Sequence, residues 1–182
     1  MPHSTFEKFL PASGILAGIL FAVAGYIQTT PESSSENPIT LMAGHETQNL
    51  VAVVAGALFA VTMAFFAVAI RQALRSGEPG ESTYSSAAFA GGVMVATMST
   101  LSTWLLFATV DAADNKDRAT AHVLGLLGLD SWLPFMVGAA VLLLSTGLGG
   151  LRTAVLPKWL AKYGKNGVTI KRGGVRKPVK KK

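Results

Sequence analysis

One apolar stretch of the chain runs from Leu50 to Ile70, twenty-one residues without a charge, and it ends at Arg71. An α-helix rises about 1.5 Å per residue, so a helix of this length spans the roughly 30 Å hydrocarbon core of a bilayer. The stretch therefore predicts a transmembrane helix, and the other apolar stretches are expected to cross the same membrane.

Four apolar stretches define the predicted architecture. The expected spans are about 12–28, 49–70, 84–110 and 131–151, all within one domain, 1–161. The segment 119–129 is apolar but too short to cross, so it is expected to re-enter the membrane or lie on its surface, and Asp130-Ser131 is expected to cap the fourth span. The predicted fold is all-α, a transmembrane bundle of four helices with a disordered basic C-terminal tail, 162–182.

The first span also admits another interpretation. Ala22-Val23-Ala24 resembles a signal-peptide cleavage site, and Lys8 supplies a sparse basic region before the apolar run. The apolar run continues through Tyr26 and Ile27, however, and a tyrosine suits the membrane interface. This continuation favours a retained span, although cleavage after Ala24 stays open as the alternative.

Small residues recur every four positions in the second and third spans. They place small side chains along one helix face, where another backbone can approach closely. Because a short turn joins the two spans, they are expected to pack as an antiparallel hairpin. The candidate helix-packing residues are Ala52, Gly56, Ala60, Ala64, Ala88, Gly92 and Ala96.

Composition supports the membrane assignment. The 182 residues are 50% hydrophobic and 14% charged, whereas about a quarter of the residues in an ordinary soluble domain are charged. The chain contains no cysteine, which excludes disulfides, thiolate metal sites, c-type haem attachment and a cysteine nucleophile.

The basic residues are divided unequally between the two predicted sides of the membrane. With four spans, one side holds Lys8, Arg71, Arg75 and the eleven basic residues from Arg152 onward, and the other holds only Lys116 and Arg118. Fourteen against two places both termini in the cytoplasm by the positive-inside rule. The expected location is the cytoplasmic membrane.

The tail from Lys162 to Lys182 holds nine basic residues and no acid. Anionic lipid head groups attract each nearby Lys or Arg by about 1 kcal/mol, although the tail could instead serve only as a topology signal. No fold or aromatic pattern in it reads bases, so no specific nucleic-acid partner is expected. The candidate anionic-lipid contacts are Lys171, Arg172, Arg176, Lys177, Lys180, Lys181 and Lys182.

Few polar groups offer chemistry within the predicted spans. Asp111, His122 and Asp130 form a candidate polar site near the outer ends of the spans, and His45 with His122 is a remote candidate for a metal. Each acid is also explained by a helix end facing water. No catalytic motif or phosphate loop occurs in the sequence, so no enzyme activity and no cofactor are expected.

Several short segments resemble a family of multi-pass membrane proteins. They are Ala17–Val23, the polar segment with His45, Gly77–Gly80 followed by Ala87–Val93, and Leu151–Leu160. Over residues 12–163 the chain is similar to an uncharacterised family of actinobacterial integral membrane proteins, known only as a domain of unknown function. Members of that family usually continue into further spans, whereas this chain enters the basic tail. The resemblance implies a membrane location and no known activity.

The predicted function is that of a non-enzymatic accessory or interaction component, with the bilayer and a second copy or another membrane protein as partners. The alternative is an oligomeric transporter or channel subunit, whose polar lumen would come from the hydroxyls of the third span: Thr97, Ser99, Thr100, Ser102 and Thr103. A membrane enzyme ranks third. Ala17–Val23 and Ala55–Val61 also share six of seven residues, which admits an internal repeat.

Overall fold

The computed structural model describes residues 5–27, 45–78, 80 and 83–153. Five helices make up this part of the chain: α1 (Thr5–Ile27), α2 (Glu46–Arg75), α3 (Thr83–Asp114), α4 (Arg118–Asp130) and α5 (Trp132–Thr153). No strand occurs in these ranges, so the predicted all-α fold is confirmed. The predicted tail, 162–182, lies outside the described residues.

Three helical segments are long and apolar enough to cross a membrane: Glu46–Arg75, Thr83–Asp114 and Arg118–Arg152. The apolar part of α1, Ala12–Ile27, is shorter. α2 and α3 both extend beyond the predicted spans, because the polar residues that flank each apolar run continue the helix. The tight turn after α2 is closed by Glu78, whose carboxylate accepts hydrogen bonds from the backbone N–H and the hydroxyl of Ser85 at the start of α3 (3.1 and 2.8 Å).

α4 and α5 form one nearly continuous rod, which differs from the sequence expectation. The N–H of Ser131 donates to the carbonyl of Leu127 (3.1 Å), so the helical bonding passes through the junction. Pro134 has no N–H to donate to the carbonyl of Asp130 one turn earlier, so one helical hydrogen bond is missing here. The missing bond accounts for a local irregularity, but it does not make Trp132 the start of a separate helix. The expectation that 119–129 re-enters or lies flat is therefore wrong for this fold, and Asp130-Ser131 does not cap a separate helix.

The helices pack in antiparallel order around α3. α1 packs on α2, α2 packs on α3, and the α4–α5 rod packs along α3 and touches α2 as well. Contacts between α3 and the rod run in strict antiparallel sequence, from Tyr84 beside Gly149 to Thr109 beside Gly125. The main core lies among α1, α2, α3 and α5, and a smaller cluster joins the end of α3 to α4.

Two glycines set the closest approach in the bundle, between α3 and α5. A Cβ added at Gly91 would lie 2.5 Å from the backbone nitrogen of Leu142 and 2.9 Å from the carbonyl oxygen of Gly138. A Cβ added at Gly138 would lie 2.9 Å from the Cβ of Met94. The obstructing atoms at Gly91 are backbone, so they cannot swing aside.

The predicted small-residue faces are used within the chain. Gly56 receives the side chain of Thr103, and Gly92 receives Ala67. Ala52, Ala60, Ala88 and Ala96 are buried as well, whereas Ala64 is exposed. A spacing of four residues drifts by about 40° per step around a helix with 3.6 residues per turn, so the contact face passes from Ala60 to Met63 and Ala67 and leaves Ala64 outside.

The two similar segments meet at equivalent residues. Phe21 and Phe59 are each the fifth residue of their seven-residue segment, and their ring centroids lie 5.2 Å apart. The two segments therefore contact each other at equivalent positions. The surroundings are not equivalent, since Gly56 faces Thr103 whereas nothing lies within 4 Å of a Cβ at its counterpart Gly18.

The glycine contact predicts a clear asymmetry among alanine substitutions. Gly91→Ala and Gly138→Ala should each lower the free energy of unfolding by about 1–3 kcal/mol, because the added methyl forces two helix backbones apart. Gly147→Ala in α5 is the matched control, since nothing lies within 4 Å of its Cβ position. Unfolding of the purified protein in mixed micelles by increasing SDS measures all three, and equal stability of Gly138→Ala and Gly147→Ala would contradict the described packing.

Candidate functional site: a hydroxyl-lined cavity

A cavity of about 320 Å³ lies among all the helices of the bundle. It occupies the half of the bundle that contains the α3–α4 turn, away from the end that carries Arg71 and Arg152. Its walls combine aromatic, glycine and hydroxyl positions from α1 to α5. The lining residues include Phe21, Gly25, Ser99, Ser102, Thr109, Gly128, Ser131 and Trp132.

Aromatic side chains close the cavity towards the middle of the bundle. The ring of Phe21 stacks on Phe135, with centroids 5.7 Å apart and planes at 7°. Trp132 meets Phe21 at 6.2 Å and Phe135 at 5.2 Å, edge to face in both cases. Phe59 completes the group against Phe21. Such ring pairs stabilise by about 0.5–1.5 kcal/mol beyond their buried area, and they join α1 to α5.

Four of the five serine and threonine hydroxyls that line the cavity already donate their protons, and Thr103 is the fifth. Ser99 donates to the carbonyl of Val95 and Thr109 to that of Leu105, both at 2.7 Å. Ser131 donates to the carbonyl of Gly128 (2.6 Å) and lies 2.5 Å from the hydroxyl oxygen of Ser102. A hydroxyl has one proton, so Ser102 is the donor in that pair. What these oxygens can still offer is lone pairs that accept hydrogen bonds.

One side of the cavity is left without helix packing. α1 packs along α2, but it does not pack along α4 or α5 beyond the aromatic group described above. Small residues of both helices line the cavity here, Ala24 and Gly25 on α1 and Gly125 and Gly128 on α4, together with Leu124 and Leu129. The cavity is partly open, and the gap between α1 and α4 is the side on which helix packing does not close it.

The hydroxyl face of α3 is divided between the cavity and the outer surface. Ser99, Ser102 and Thr103 line the cavity, whereas Thr97 and Thr100 are exposed and the hydroxyl of Thr100 donates to the carbonyl of Ala96. The sequence pattern indicates the α3 hydroxyls as candidates for a polar lining, but it does not indicate Phe21, Ser131 or Trp132 as cavity residues. No local signal marks those three, because they come together only through helix packing.

The candidate polar site of Asp111, His122 and Asp130 does not assemble in the structure. Asp111 and Asp130 are exposed and His122 is half-buried. Asp130 follows His122 by eight residues, which separates them by about 12 Å along the rod. Within the described ranges, no group of three or more His, Asp or Glu side chains could hold a metal ion. Asp130 also lies inside the α4–α5 rod and not at the start of a helix as expected.

Charged residues of opposite sign gather at opposite ends of the bundle. Arg71 lies over the ring of Phe89 (5.1 Å) and Arg152 over the ring of Tyr84 (5.0 Å) at one end. Glu46, Asp111, Asp114 and Asp117 lie at the other end, with Lys116 and Arg118. The cavity belongs to this second, more acidic half.

Asp117 begins α4 at the acidic end. The hydroxyl and the backbone N–H of Thr120 donate to its carboxylate (2.6 and 3.1 Å), and these bonds hold the pKa of Asp117 below its usual value. The cap therefore contributes its full stability above the ordinary aspartate pKa, and that contribution is lost as the pH falls through the lowered value.

Comparisons with known proteins give no relative for this chain. No protein-family model, no curated protein and no solved structure matches it. The resemblance to the actinobacterial membrane family accordingly stays a prediction, and the functional argument rests on the residues themselves.

Proposed function

We propose that this chain is a multi-pass protein of the cytoplasmic membrane, with both termini in the cytoplasm, that serves as a non-enzymatic accessory or interaction component. Membership of the uncharacterised actinobacterial family belongs to the same proposal. The observation that supports it most is the apolar surface of α4, which exposes Val123, Leu126, Leu127 and Leu129 on a helix that the proposed placement puts beyond the outer aromatic belt.

Aromatic residues support a specific position of the bundle in the bilayer. Tyr84 and Trp104 are twenty residues apart on α3, about 30 Å, which equals the hydrocarbon thickness. Trp132 follows Ser131, whose hydroxyl oxygen lies 2.5 Å from that of Ser102, two residues before Trp104. Tyr26 lies little more than one helical turn after Phe21, whose ring contacts Trp132. Tyr26 and Trp132 are therefore close in depth to Trp104. All three aromatic side chains at that depth are exposed, as expected of an interfacial belt.

The second belt is supported by arginines. Arg152 covers Tyr84, and Arg71 and Arg75 belong to the same end of the bundle. A basic end beside an aromatic belt is typical of the cytoplasmic side. The acidic turn at residues 114–118 then faces the outside, in agreement with the distribution of Lys and Arg along the whole sequence.

With this placement α4 extends past the outer belt. It nevertheless exposes four large apolar side chains, Val123, Leu126, Leu127 and Leu129, each at 43% or more. Apolar side chains that clear the hydrocarbon need head-group lipid or another protein to cover them. We call this surface the α4 face. It supports an interaction role, because a chain that worked alone would leave these apolar side chains uncovered.

The transporter alternative draws on the cavity, which sits within a single chain and not between copies. Transport through it would require the group of Phe21, Phe59, Trp132 and Phe135 to separate, because these rings close the cavity towards the cytoplasmic half. The accessory role needs no such movement, and it is therefore preferred.

Orientation can be tested with single cysteines, since the chain has none of its own. Ala119→Cys and Ser76→Cys replace exposed residues at opposite ends of the bundle. A membrane-impermeant maleimide should label Ala119→Cys in intact cells and Ser76→Cys only after permeabilisation. Labelling of Ser76→Cys in intact cells would overturn the proposed orientation.

The interaction role predicts that the α4 face touches a protein in the native membrane. A photo-crosslinking amino acid at Leu126 should give a discrete protein adduct, because the proposed partner covers that position. The same amino acid at Leu143, exposed on α5 at mid-bilayer depth, is the control and should react with lipid alone. Lipid adducts alone at both positions would contradict the accessory role.

The basic tail predicts a salt-sensitive association with anionic lipid. A fluorophore on a cysteine added after Lys182 should lie closer to the surface of nanodiscs as their anionic lipid content rises, and salt should reverse the effect. Lys→Gln and Arg→Gln changes at the seven candidate contacts should abolish this response. If the position of the fluorophore in the wild-type chain changed with neither lipid charge nor salt, the tail would not bind anionic lipid, and its remaining role would be that of a topology signal.

A further inference from the structure

We propose that the cavity binds one neutral lipophilic molecule that carries a hydroxyl donor, such as a long-chain alcohol or an alkylphenol. Its hydroxyl would lie among Ser99, Ser102, Thr109 and Ser131, and its apolar body would lie against Phe21 and Trp132. This inference is independent of the accessory role and concerns a different face of the molecule.

The donor requirement follows from the hydrogen bonds inside the wall. Ser99 and Thr109 donate their hydroxyl protons to carbonyl oxygens of their own helix. Ser102 donates to the hydroxyl oxygen of Ser131, and Ser131 donates to the carbonyl of Gly128. These four groups therefore present acceptor oxygens from α3 and from the α4–α5 junction, and none of the four is a free donor. A ligand with a donor completes their bonding, whereas a ligand with acceptors alone leaves them unpaired.

Neutrality follows from the charges around the cavity. Among the described residues, no Asp, Glu, Lys, Arg or His lines it. Transferring an unpaired ion from water into such surroundings costs far more free energy than hydrogen bonds to hydroxyl oxygens recover. An ammonium or a carboxylate is therefore disfavoured, and a neutral hydroxyl is the polar group that fits.

The lipophilic body follows from the shape of the site. The aromatic group supplies flat apolar surface at the inner end, and the volume of about 320 Å³ is at the lower limit of small-molecule sites, about 300–1,000 Å³. The unpacked gap between Gly25 of α1 and Gly128 of α4 lies at the depth of the outer aromatic belt. A molecule dissolved in the membrane can enter there with its hydroxyl near the interface.

Trp132 supplies a direct readout of occupancy. In the full chain with Trp104→Phe and Trp159→Phe, Trp132 is the remaining tryptophan. The probe is a phenol that carries a terminally brominated octyl chain, since bromine quenches a tryptophan that it contacts. Its methyl ether has the same body without the donor and is the matched comparison. Both are titrated into the protein in nanodiscs.

The phenol should quench Trp132 saturably, and the ether should need a concentration about fivefold or more higher, the equivalent of one lost neutral hydrogen bond of about 1 kcal/mol. A chain that keeps Trp104 as its remaining tryptophan reports partition into lipid, and it should show weaker, non-saturating quenching. Equal quenching by phenol and ether, or non-saturating quenching of Trp132, would overturn the proposal.

A second experiment fills the cavity with larger side chains, and it does not depend on hydrogen bonding. Gly25→Leu and Gly128→Leu place a side chain at lining positions with nothing within 4 Å of the new Cβ. Each should weaken quenching by the phenol about tenfold. Gly18→Leu is the control on α1, equally open but outside the lining, and should leave quenching unchanged. Unaltered quenching in both cavity-filling variants would exclude this site as the place where the phenol binds.

Discussion

The bundle depends on the contact between the backbones of α3 and α5 at Gly91 and Gly138. In hydrocarbon there is no hydrophobic force between helices, so their association rests on close packing and on the few hydrogen bonds that cross between them. Two glycines that face each other permit an approach that no pair of larger residues allows. This contact makes α3 the central helix, which packs against both α2 and the α4–α5 rod.

The cavity is a consequence of the same packing order. α3 holds α2 and the rod close, but α1 reaches only α2 along its length and touches α5 through the ring of Phe21. The small residues of α1 and α4 then leave space between them that no side chain fills. A bundle with larger residues at Gly25 or Gly128 would close this space without disturbing the glycine contact at the other end.

Hydroxyl protons inside a bundle are expected to find acceptors where water is absent, and among the described residues the buried hydroxyl of Thr146 is an exception. The hydroxyls of Ser99 and Thr109 satisfy theirs within α3, and the Ser102–Ser131 pair satisfies one of its two bonds across helices. The continuous bonding at Ser131 is what keeps α4 in line with α5, so Asp130 ends up along the rod and near the aromatic belt. The same serine therefore contributes to the rod and to the wall of the cavity.

The sequence by itself determined that the chain forms long apolar helices, because a charge-free run such as Leu50–Ile70 leaves a chain in lipid few alternatives to a helix. It also indicated that small residues carry the α2–α3 contact. The tertiary structure decided which small residues touch, since Ala64 rotates out of the contact face while Gly138, with no ladder around it, becomes central. It decided the cavity as well, because Phe21, Ser102 and Ser131 belong to three different helices and no local pattern records their meeting. Finally, the backbone hydrogen bond from Ser131 to Leu127 joins α4 and α5 into one rod. Helix propensity alone does not decide whether the segment 119–129 continues into the next helix.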